Sequence, residues 1–317
     1  MTQKKTKEMH TVTGAFGYSG SLIAQALLKK SYLVNTLTNS VDREHSLQGK
    51  IEAQPFCFEN PKKLSGLLRR TKVLYNNYWV RFNHQSFSHE AAVQNTFTLI
   101  DAAKTAGVER FVHISITNPS LESDLEYFSG KARIEQYLIE SGLSYCILRP
   151  AVLFGGNDIL INNIAWMIRH FPIFPMFGDG NYRLQPVHVQ DLAKIAVQKG
   201  EDRKNEIFNV PGSQTLTYKE LVKMLARAFH KKPFIFAAPP GLVYLMGNIL
   251  RIFLKDIPVT RQEIKGLMDE LLYVDPAEAA LKGKTRLSEY IAQNSKRLGV
   301  RYASELSRRV DRQTSYE

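Results

Sequence analysis

Short apolar runs alternate with amphipathic runs through the first half of the chain, and this alternation predicts the fold. The apolar runs predict six strands, at residues 10–13, 32–38, 51–58, 72–75, 110–115 and 144–148. The amphipathic runs repeat apolar positions at helical spacing and predict helices at residues 21–30, 61–68, 89–106 and 125–141. Gly107 and Gly142 are placed to end the last two helices. Because alternating strands and helices form a parallel sheet covered on both faces, we expect an α/β, doubly wound sheet.

This alternation breaks after Arg149 and Pro150. Helices are then predicted at residues 159–170, 190–199, 218–229 and 242–254, and a strand with a turn at 208–212. The expected division is a sheet domain at 1–155, completed by 185–211, a smaller and mostly helical domain at 156–184 and 212–275, and a basic extension at 276–317.

The predicted helix at 242–254 places Leu242, Met246, Ile249 and Phe253 on one face and basic residues on the other. Such a face closes the core of a small domain, or it docks on a membrane surface or a partner protein. Its apolar run is too short to span a bilayer. The sequence leaves both roles open.

The most informative motif lies between the first predicted strand and helix. Glycines at positions 14, 17 and 20 allow a tight turn, close approach of a ligand to the backbone and close packing of the helix on the strand. Amide groups at a helix start suit a pyrophosphate. We therefore predict a Rossmann-type dinucleotide site whose loop binds the cofactor through Gly14, Ala15, Phe16, Gly17 and Tyr18.

Composition narrows the class of protein further. The 317 residues are 44% hydrophobic and 23% charged, as in ordinary globular proteins. The net charge of +12 favours anionic partners such as phosphorylated cofactors, lipid head groups or nucleic acid. The basic residues are dispersed and accompany no nucleic-acid motif, so we expect no nucleic-acid partner.

Cysteines and termini indicate the compartment. Cys57 and Cys146 both fall in predicted buried strands and lack metal-ligand spacing, so we expect a reducing compartment, no disulfide and no metal. Residues 1–10 are polar and lysine-rich, without the apolar segment of a secretory signal. We expect a cytoplasmic protein, with peripheral membrane attachment left open and its oligomeric state undetermined.

Tyr127 and Lys131 carry the predicted chemistry. Their spacing of four places both side chains on one face of the predicted helix at 125–141. A lysine ammonium beside a tyrosine hydroxyl stabilises the phenolate, so the tyrosine can exchange a proton with a small-molecule carbonyl or alcohol while a nicotinamide exchanges the hydride. Cofactor preference is set at the end of the second strand, where no acid stands and where Asn39 and Arg43 lie nearby. That favours NADP(H) over NAD(H).

These motifs, with Leu148-Arg149-Pro150 and the run from Pro186 to Ala193, resemble the extended and atypical short-chain dehydrogenase/reductases, the NAD-dependent epimerase/dehydratase-like group. The resemblance covers residues 9–255. Within the group the chain is similar to the branch of the dinucleotide-binding accessory subunit of respiratory complex I and its bacterial relatives.

The resemblance implies further site residues. Ser115 joins Tyr127 and Lys131 as a catalytic candidate. The cofactor is expected to contact Asn77, Lys131 and Pro150 as well as the glycine loop. Tyr78, Trp79 and Arg81 line a substrate pocket, or the aromatic rings fill a gap beneath the loop. For Asp191, with Arg183 and His188, we expect a structural role in packing and capping rather than a role in catalysis.

One position departs from the family pattern. Where active members carry Ser or Thr after Ser115, this chain has Ile116, which cannot hydrogen-bond a substrate oxygen. Two functions therefore stay open. The first is an NAD(P)(H)-dependent oxidoreductase or epimerase acting on a small molecule. The second is a catalytically quiet nucleotide-binding accessory subunit or assembly factor of a membrane-associated complex.

Overall fold

The computed structural model describes residues 8–315, so most of the lysine-rich start and the last two residues lie outside it. Its strands are β1 (Met9–Thr13), β2 (Leu33–Thr38), β3 (Glu52–Pro55), β4 (Thr71–Asn76), β5 (Arg110–Ile114), β6 (Tyr145–Pro150), β7 (Leu153–Phe154), β8 (Ile173–Phe177), β9 (Arg183–Leu184), β10 (Val187–His188), β11 (Glu206–Val210), β12 (Leu216–Thr217) and β13 (Phe234–Ala238). Its α-helices are α1 (Tyr18–Lys29), α2 (Pro61–Leu68), α3 (His89–Ala106), α4 (Glu126–Glu140), α5 (Leu160–His170), α6 (Val189–Gly200), α7 (Tyr218–Ala228), α8 (Pro240–Leu254), α9 (Arg261–Met268), α10 (Leu287–Asn294) and α11 (Glu305–Val310).

One seven-stranded sheet contains the six strands β1 to β6 and the later strand β11, in the order β11-β6-β5-β4-β1-β2-β3. Strands β1 to β6 pair in parallel throughout. The chain moves outward from β1 through β2 to β3, and then returns to build β4, β5 and β6 on the other side of β1. This confirms the predicted Rossmann-type fold and leaves a crevice at the carboxyl ends of β1 and β4, where doubly wound sheets bind ligands.

Two predicted boundaries need correction. The third strand ends at Pro55 rather than at residue 58, because proline has no amide hydrogen to donate to a ladder. Cys57 is therefore buried outside a strand, whereas Cys146 lies in β6, and both thiols are free. Helix α1 starts at Tyr18, three residues earlier than predicted, because Gly17 is already its N-cap residue.

The chain divides into two compact units. The first contains the described residues up to Arg149, together with Leu192–Phe208 and Arg312–Ser315. The apolar side chains between its sheet, α2, α3 and α4 form one core cluster, which includes Leu64, Leu99, Phe111 and Ile134. Buried Arg110 donates to the carbonyl oxygens of Lys199 and Lys204 at 2.8 and 2.9 Å, which ties β5 to the chain around the end of α6.

The second unit contains Pro150–Asp191 and Asn209–Asp311. Its core gathers apolar side chains of α5, β8, α7 and α10. Asp191 accepts backbone N–H groups of Lys284 and Thr285 at 2.9 and 2.7 Å, and Arg183 pairs with Glu270, so both have packing and capping contacts.

Helix α8 presents apolar side chains to solvent. Val243 is buried, but the exposed large side chains include Leu242, Leu245, Ile249, Ile252 and Phe253. Leu242, Ile249 and Phe253, which the sequence places on the apolar face, therefore do not pack in the core of the second unit. The core-closing role left open by the sequence does not apply to these three residues. Across residues 8–315, no helix combines the length and the apolar character needed to cross a bilayer.

Candidate functional site

The glycine loop closes on itself between β1 and α1. Gly14 adopts a φ of +66°, and its carbonyl oxygen accepts the N–H of Gly17 at 2.8 Å. Gly14 N–H donates to the Leu37 carbonyl, and Ala15 N–H donates to the Thr36 hydroxyl at 3.0 Å, so β2 holds the first half of the loop. A left-handed φ disfavours a side chain at position 14.

The start of α1 fits a dinucleotide pyrophosphate. A Cβ atom on Gly20 would lie 2.3 Å from the Gly14 carbonyl oxygen, so only glycine lets the helix sit this close to the loop. Gly17 is the N-cap residue and provides no side-chain cap, which leaves the first turn to be satisfied by another acceptor. Phe16 is buried against His45, whereas Tyr18 is half-buried in the first turn.

Polar side chains meet at the carboxyl ends of β1, β4 and β5. Thr13 donates to the Asn76 side-chain oxygen at 3.1 Å and accepts the backbone N–H of Asn77 at 2.7 Å. The Asn76 amide lies 3.2 Å from Nδ1 of His113. Ser19 of α1 donates to the Asn77 side-chain oxygen at 3.2 Å, so Asn77 joins the loop to β4. Within residues 8–315 the buried Nδ2 of Asn77 has no hydrogen-bond partner, which suits a ligand acceptor.

The end of β2 carries the predicted cofactor-selecting residues. Asn39 directly follows β2 and is exposed, and no carboxylate stands at the strand end. Arg43 is buried, and its guanidinium donates to the Ser40 hydroxyl at 3.2 Å and to the Thr314 carbonyl at 3.3 Å.

Trp79 and Tyr127 lie together in one aromatic cluster with His89. The Trp79 ring stacks on His89 at 5.6 Å and meets Tyr127 edge-on at 5.5 Å between ring centroids. A Cβ on Gly130 would lie 2.9 Å from the Trp79 indole, so that glycine admits the ring against α4. Tyr127 stays half-buried near the start of α4.

Lys131 is 2% exposed, one turn after Tyr127. Its ammonium donates to the Ile114 carbonyl oxygen at 2.8 Å and lies 4.6 Å from the Trp79 ring centroid. Burial lowers the pKa of Lys131 to about 7, and the Glu135 carboxylate opposes that shift. The Lys131 side chain thus lies against protein groups, and the Glu135 carboxylate offsets only part of the cost of burying its charge.

Ser115 belongs to a different hydrogen-bonded group. Its hydroxyl donates to Glu135, which also forms an ion pair with Arg149. Ser115 is thereby hydrogen-bonded to the same carboxylate whose charge acts on Lys131. Ile116 is buried and contributes no hydrogen-bonding side chain. Pro150, also predicted to bind cofactor, is the last residue of β6.

Tyr78 and Arg81 have different surroundings. The Tyr78 ring packs 5.1 Å from both Phe56 and Phe58, and its hydroxyl accepts from the Asn95 amide at 2.9 Å. These contacts favour the gap-filling role for Tyr78. Arg81 lies over the Phe82 ring at 5.6 Å.

Several site residues were missed in the sequence. Asn76, His113 and Glu135 are buried polar residues in elements that read as core. The signal for Asn76 and His113 was a polar side chain near the carboxyl end of an apolar strand. For Glu135 it was the spacing of four from Lys131. Among residues 8–315, no three His, Cys, Asp or Glu side chains gather to hold a metal ion.

A separate cavity of about 380 Å³ lies between α3 and α4. Its lining includes His89 and Gly130 of the aromatic region, and the Glu90–Arg133 ion pair at 2.6 Å. None of its lining residues belongs to the glycine loop, so we do not assign the dinucleotide to it.

The sheet order and the glycine loop between β1 and α1 define a Rossmann-type fold. The profile of the NAD dependent epimerase/dehydratase family matches residues 10–211, and the chain belongs to that family. It is 15% identical to a nucleoside-diphosphate-sugar epimerase of Staphylococcus aureus, whose structure superposes with a TM-score of 0.71 over 90% of this chain and 99% of that one. At this identity the likeness shows the fold alone.

Two curated relatives are subunits of larger assemblies. The chain is 26% identical over 248 residues to the mitochondrial NADH-ubiquinone oxidoreductase 40 kDa subunit of Neurospora crassa, covering 76% of this chain and 65% of that one. It is 29% identical over 298 residues to the mitochondrial NADH dehydrogenase (ubiquinone) 1 alpha subcomplex subunit 9 of Rattus norvegicus, covering 86% and 78%. The match thus spans less than two thirds of the Neurospora protein. The resemblance predicted from the sequence is confirmed.

The lowered pKa of Lys131 predicts a pH-dependent stability difference from Lys131→Met. Between about pH 7 and pH 10 the unfolded chain binds a proton at Lys131 that the folded chain does not, so wild-type stability rises with pH relative to the variant. From pH 7 to pH 9 the relative gain should be about 2–3 kcal/mol. Urea unfolding at both pH values measures it. Lys104→Met, at an exposed position of α3, is the charge-matched control. An equal wild-type advantage at both pH values would contradict the prediction.

Proposed function

We propose that this protein binds a nicotinamide dinucleotide at the carboxyl ends of β1 and β4. The observation that carries the proposal is the start of α1, where Gly20 packs on the Gly14 carbonyl and Gly17 provides no side-chain cap. The loop and first turn would hold the pyrophosphate, and the Asn77 amide would donate to the ligand. The lack of an acid at the end of β2, with Arg43 nearby, favours NADP(H) over NAD(H).

We further propose that the bound nucleotide stabilises the fold and is not turned over. A bound nicotinamide would supply hydride transfer, which needs a proton donor beside it. The ammonium of Lys131 lies under the Trp79 ring and against the Ile114 carbonyl, and the Ser115 hydroxyl is donated to Glu135. Together with Ile116, these contacts leave the proton-transfer group incomplete, which supports an accessory role.

A second candidate function is oxidoreduction or epimerisation of a small molecule. Tyr127 and Lys131 favour it, because they lie one turn apart on α4 and Tyr127 is half-buried rather than sealed. In that function Tyr127 would exchange the proton at its hydroxyl and Lys131 would lower the tyrosine pKa.

We also propose that α8 attaches the protein to an anionic membrane surface. Its outward side chains include Ile252 and Phe253, which are 74% and 78% exposed, beside the exposed cations Arg251 and Lys255. Apolar area combined with positive charge is what interfacial binding requires. The two relatives described above are subunits of a ubiquinone-dependent oxidoreductase, which accords with an accessory protein at a membrane-associated complex.

Gly17→Val tests nucleotide binding. Gly17 has a φ of −103° and a ψ of 177°, which valine adopts without strain, so the fold should survive while the side chain blocks the pyrophosphate. Calorimetry should show NADPH affinity falling at least tenfold. Gly66→Ala in α2, where a Cβ has open space, is the control and should bind like wild type. Unchanged binding by Gly17→Val with an unchanged melting temperature would remove the site assignment.

Tyr127→Phe separates the two candidate functions. If the protein is an accessory subunit, NADPH should stabilise wild type and Tyr127→Phe equally. The free energy of unfolding should rise by about 2.7 kcal/mol at a hundredfold excess of NADPH over Kd. Neither should oxidise NADPH when carbonyl compounds and nucleotide sugars are screened. If wild type turns over a substrate and Tyr127→Phe does not, while cofactor affinity persists, the protein is an enzyme and the quiet role is wrong.

Phe253→Glu tests membrane attachment. Wild type should float with phosphatidylglycerol vesicles at low salt, and the variant should partition at least tenfold less, because burying one such side chain contributes about 2 kcal/mol. Leu121→Glu replaces an exposed apolar side chain in the first unit and should float like wild type. If wild type does not float with anionic vesicles, α8 does not bind a lipid surface, and a partner protein is the remaining candidate for covering its apolar side chains.

A further inference from the structure

Residues 312–315, here called the tail segment, contact the loop that follows β2. The backbone N–H of Glu44 donates to the Gln313 carbonyl at 2.7 Å. Arg43 donates to the Thr314 carbonyl at 3.3 Å, and Arg312 donates to the Asn39 carbonyl at 3.5 Å. These contacts connect three consecutive residues, 312 to 314, to residues 39–44, all within the first compact unit.

The contacted loop has a defined place in the proposed nucleotide site. In a doubly wound fold the end of the second strand meets the adenosine ribose, where an arginine accommodates a 2′-phosphate. Here that arginine is Arg43, which is 3% exposed. Its guanidinium donates to the Ser40 hydroxyl and to the tail carbonyl of Thr314.

A 2′-phosphate and the tail would use the same donor. The phosphate is an ionised acceptor that can take two parallel N–H bonds from a guanidinium, whereas the Thr314 carbonyl is a neutral acceptor of one. To reach a guanidinium this buried, the phosphate would take the place of the Thr314 carbonyl on Arg43.

Building on the nucleotide binding proposed above, we infer that the tail segment is an autoinhibitory strap over the 2′-phosphate subsite. It holds Arg43 in the nucleotide-free protein and is displaced by a 2′-phosphorylated dinucleotide. The coupling is reciprocal, so tail attachment weakens NADPH binding by the same factor by which NADPH weakens tail attachment. NADH carries no 2′-phosphate and leaves the strap in place.

Calorimetric titration of NADPH and NADH into three proteins tests the inference: the full chain, a chain ending at Asp311, and Arg312→Ala. Ending the chain at Asp311 should tighten NADPH binding about tenfold, the equivalent of one hydrogen bond to a charged group, and leave NADH binding unchanged. Arg312→Ala removes the Asn39 contact and should shift NADPH affinity in the same direction by less. Arg297→Ala, at an exposed position of the same C-terminal region, removes an equal charge and should have no effect.

Hydrogen exchange at the Glu44 amide gives a readout that does not depend on catalysis. In the full chain NADPH should accelerate exchange at this amide, because the Gln313 carbonyl leaves it, whereas NADH should not. Added protection at Glu44 on NADPH binding would overturn the inference. So would weaker NADPH binding by Arg312→Ala, which would make Arg312 a direct phosphate ligand.

The outcomes separate this inference from the proposed function. Equal NADPH affinity for the full and shortened chains would overturn the strap and leave nucleotide binding intact. If neither nucleotide binds the full chain, the shortened chain or Gly17→Val, the proposed nucleotide site fails and the strap fails with it.

Discussion

The approach of α1 to the Gly14 carbonyl is the contact on which the candidate site depends. Gly20 leaves no room for a Cβ atom there, so the helix starts directly on the end of β1. This position aims the first turn of α1 at the crevice beside β4 and lets Ser19 reach Asn77. Because the strands are parallel, the carboxyl ends of β1, β4 and β5 then deliver Thr13, Asn76 and His113 to the same edge.

A second constraint acts through the charge of Glu135. This buried carboxylate takes a hydrogen bond from Ser115, pairs with Arg149 and opposes the desolvation of Lys131. An unpaired buried acid or ammonium is costly, so Ser115 and Arg149 stabilise the buried Glu135, and Glu135 in turn offsets part of the cost of burying Lys131. The same carboxylate engages the Ser115 hydroxyl, so two of the three predicted catalytic side chains, Ser115 and Lys131, are influenced by one buried acid.

Much of the fold was readable from local patterns. Strands β1, β2 and β4 to β6 and helices α1 to α4 follow apolar periodicity, and the Gly107 cap follows from the need for a left-handed residue. The glycine loop was readable because tight turns and close helix contacts exclude other side chains. The family followed from these motifs together, and the profile match over residues 10–211 bears it out.

The sequence by itself determined the doubly wound sheet, the glycine loop and the placement of Tyr127 and Lys131 on one helix face, because each depends on spacings of a few residues. Only the tertiary structure decided what surrounds them. The stacking of Trp79 over Lys131, the hydrogen bond of Ser115 to Glu135 and the return of Thr314 to Arg43 join residues far apart in the chain. The exposure of Phe253 was likewise undecided, since an apolar helix face reads the same whether a core or solvent meets it.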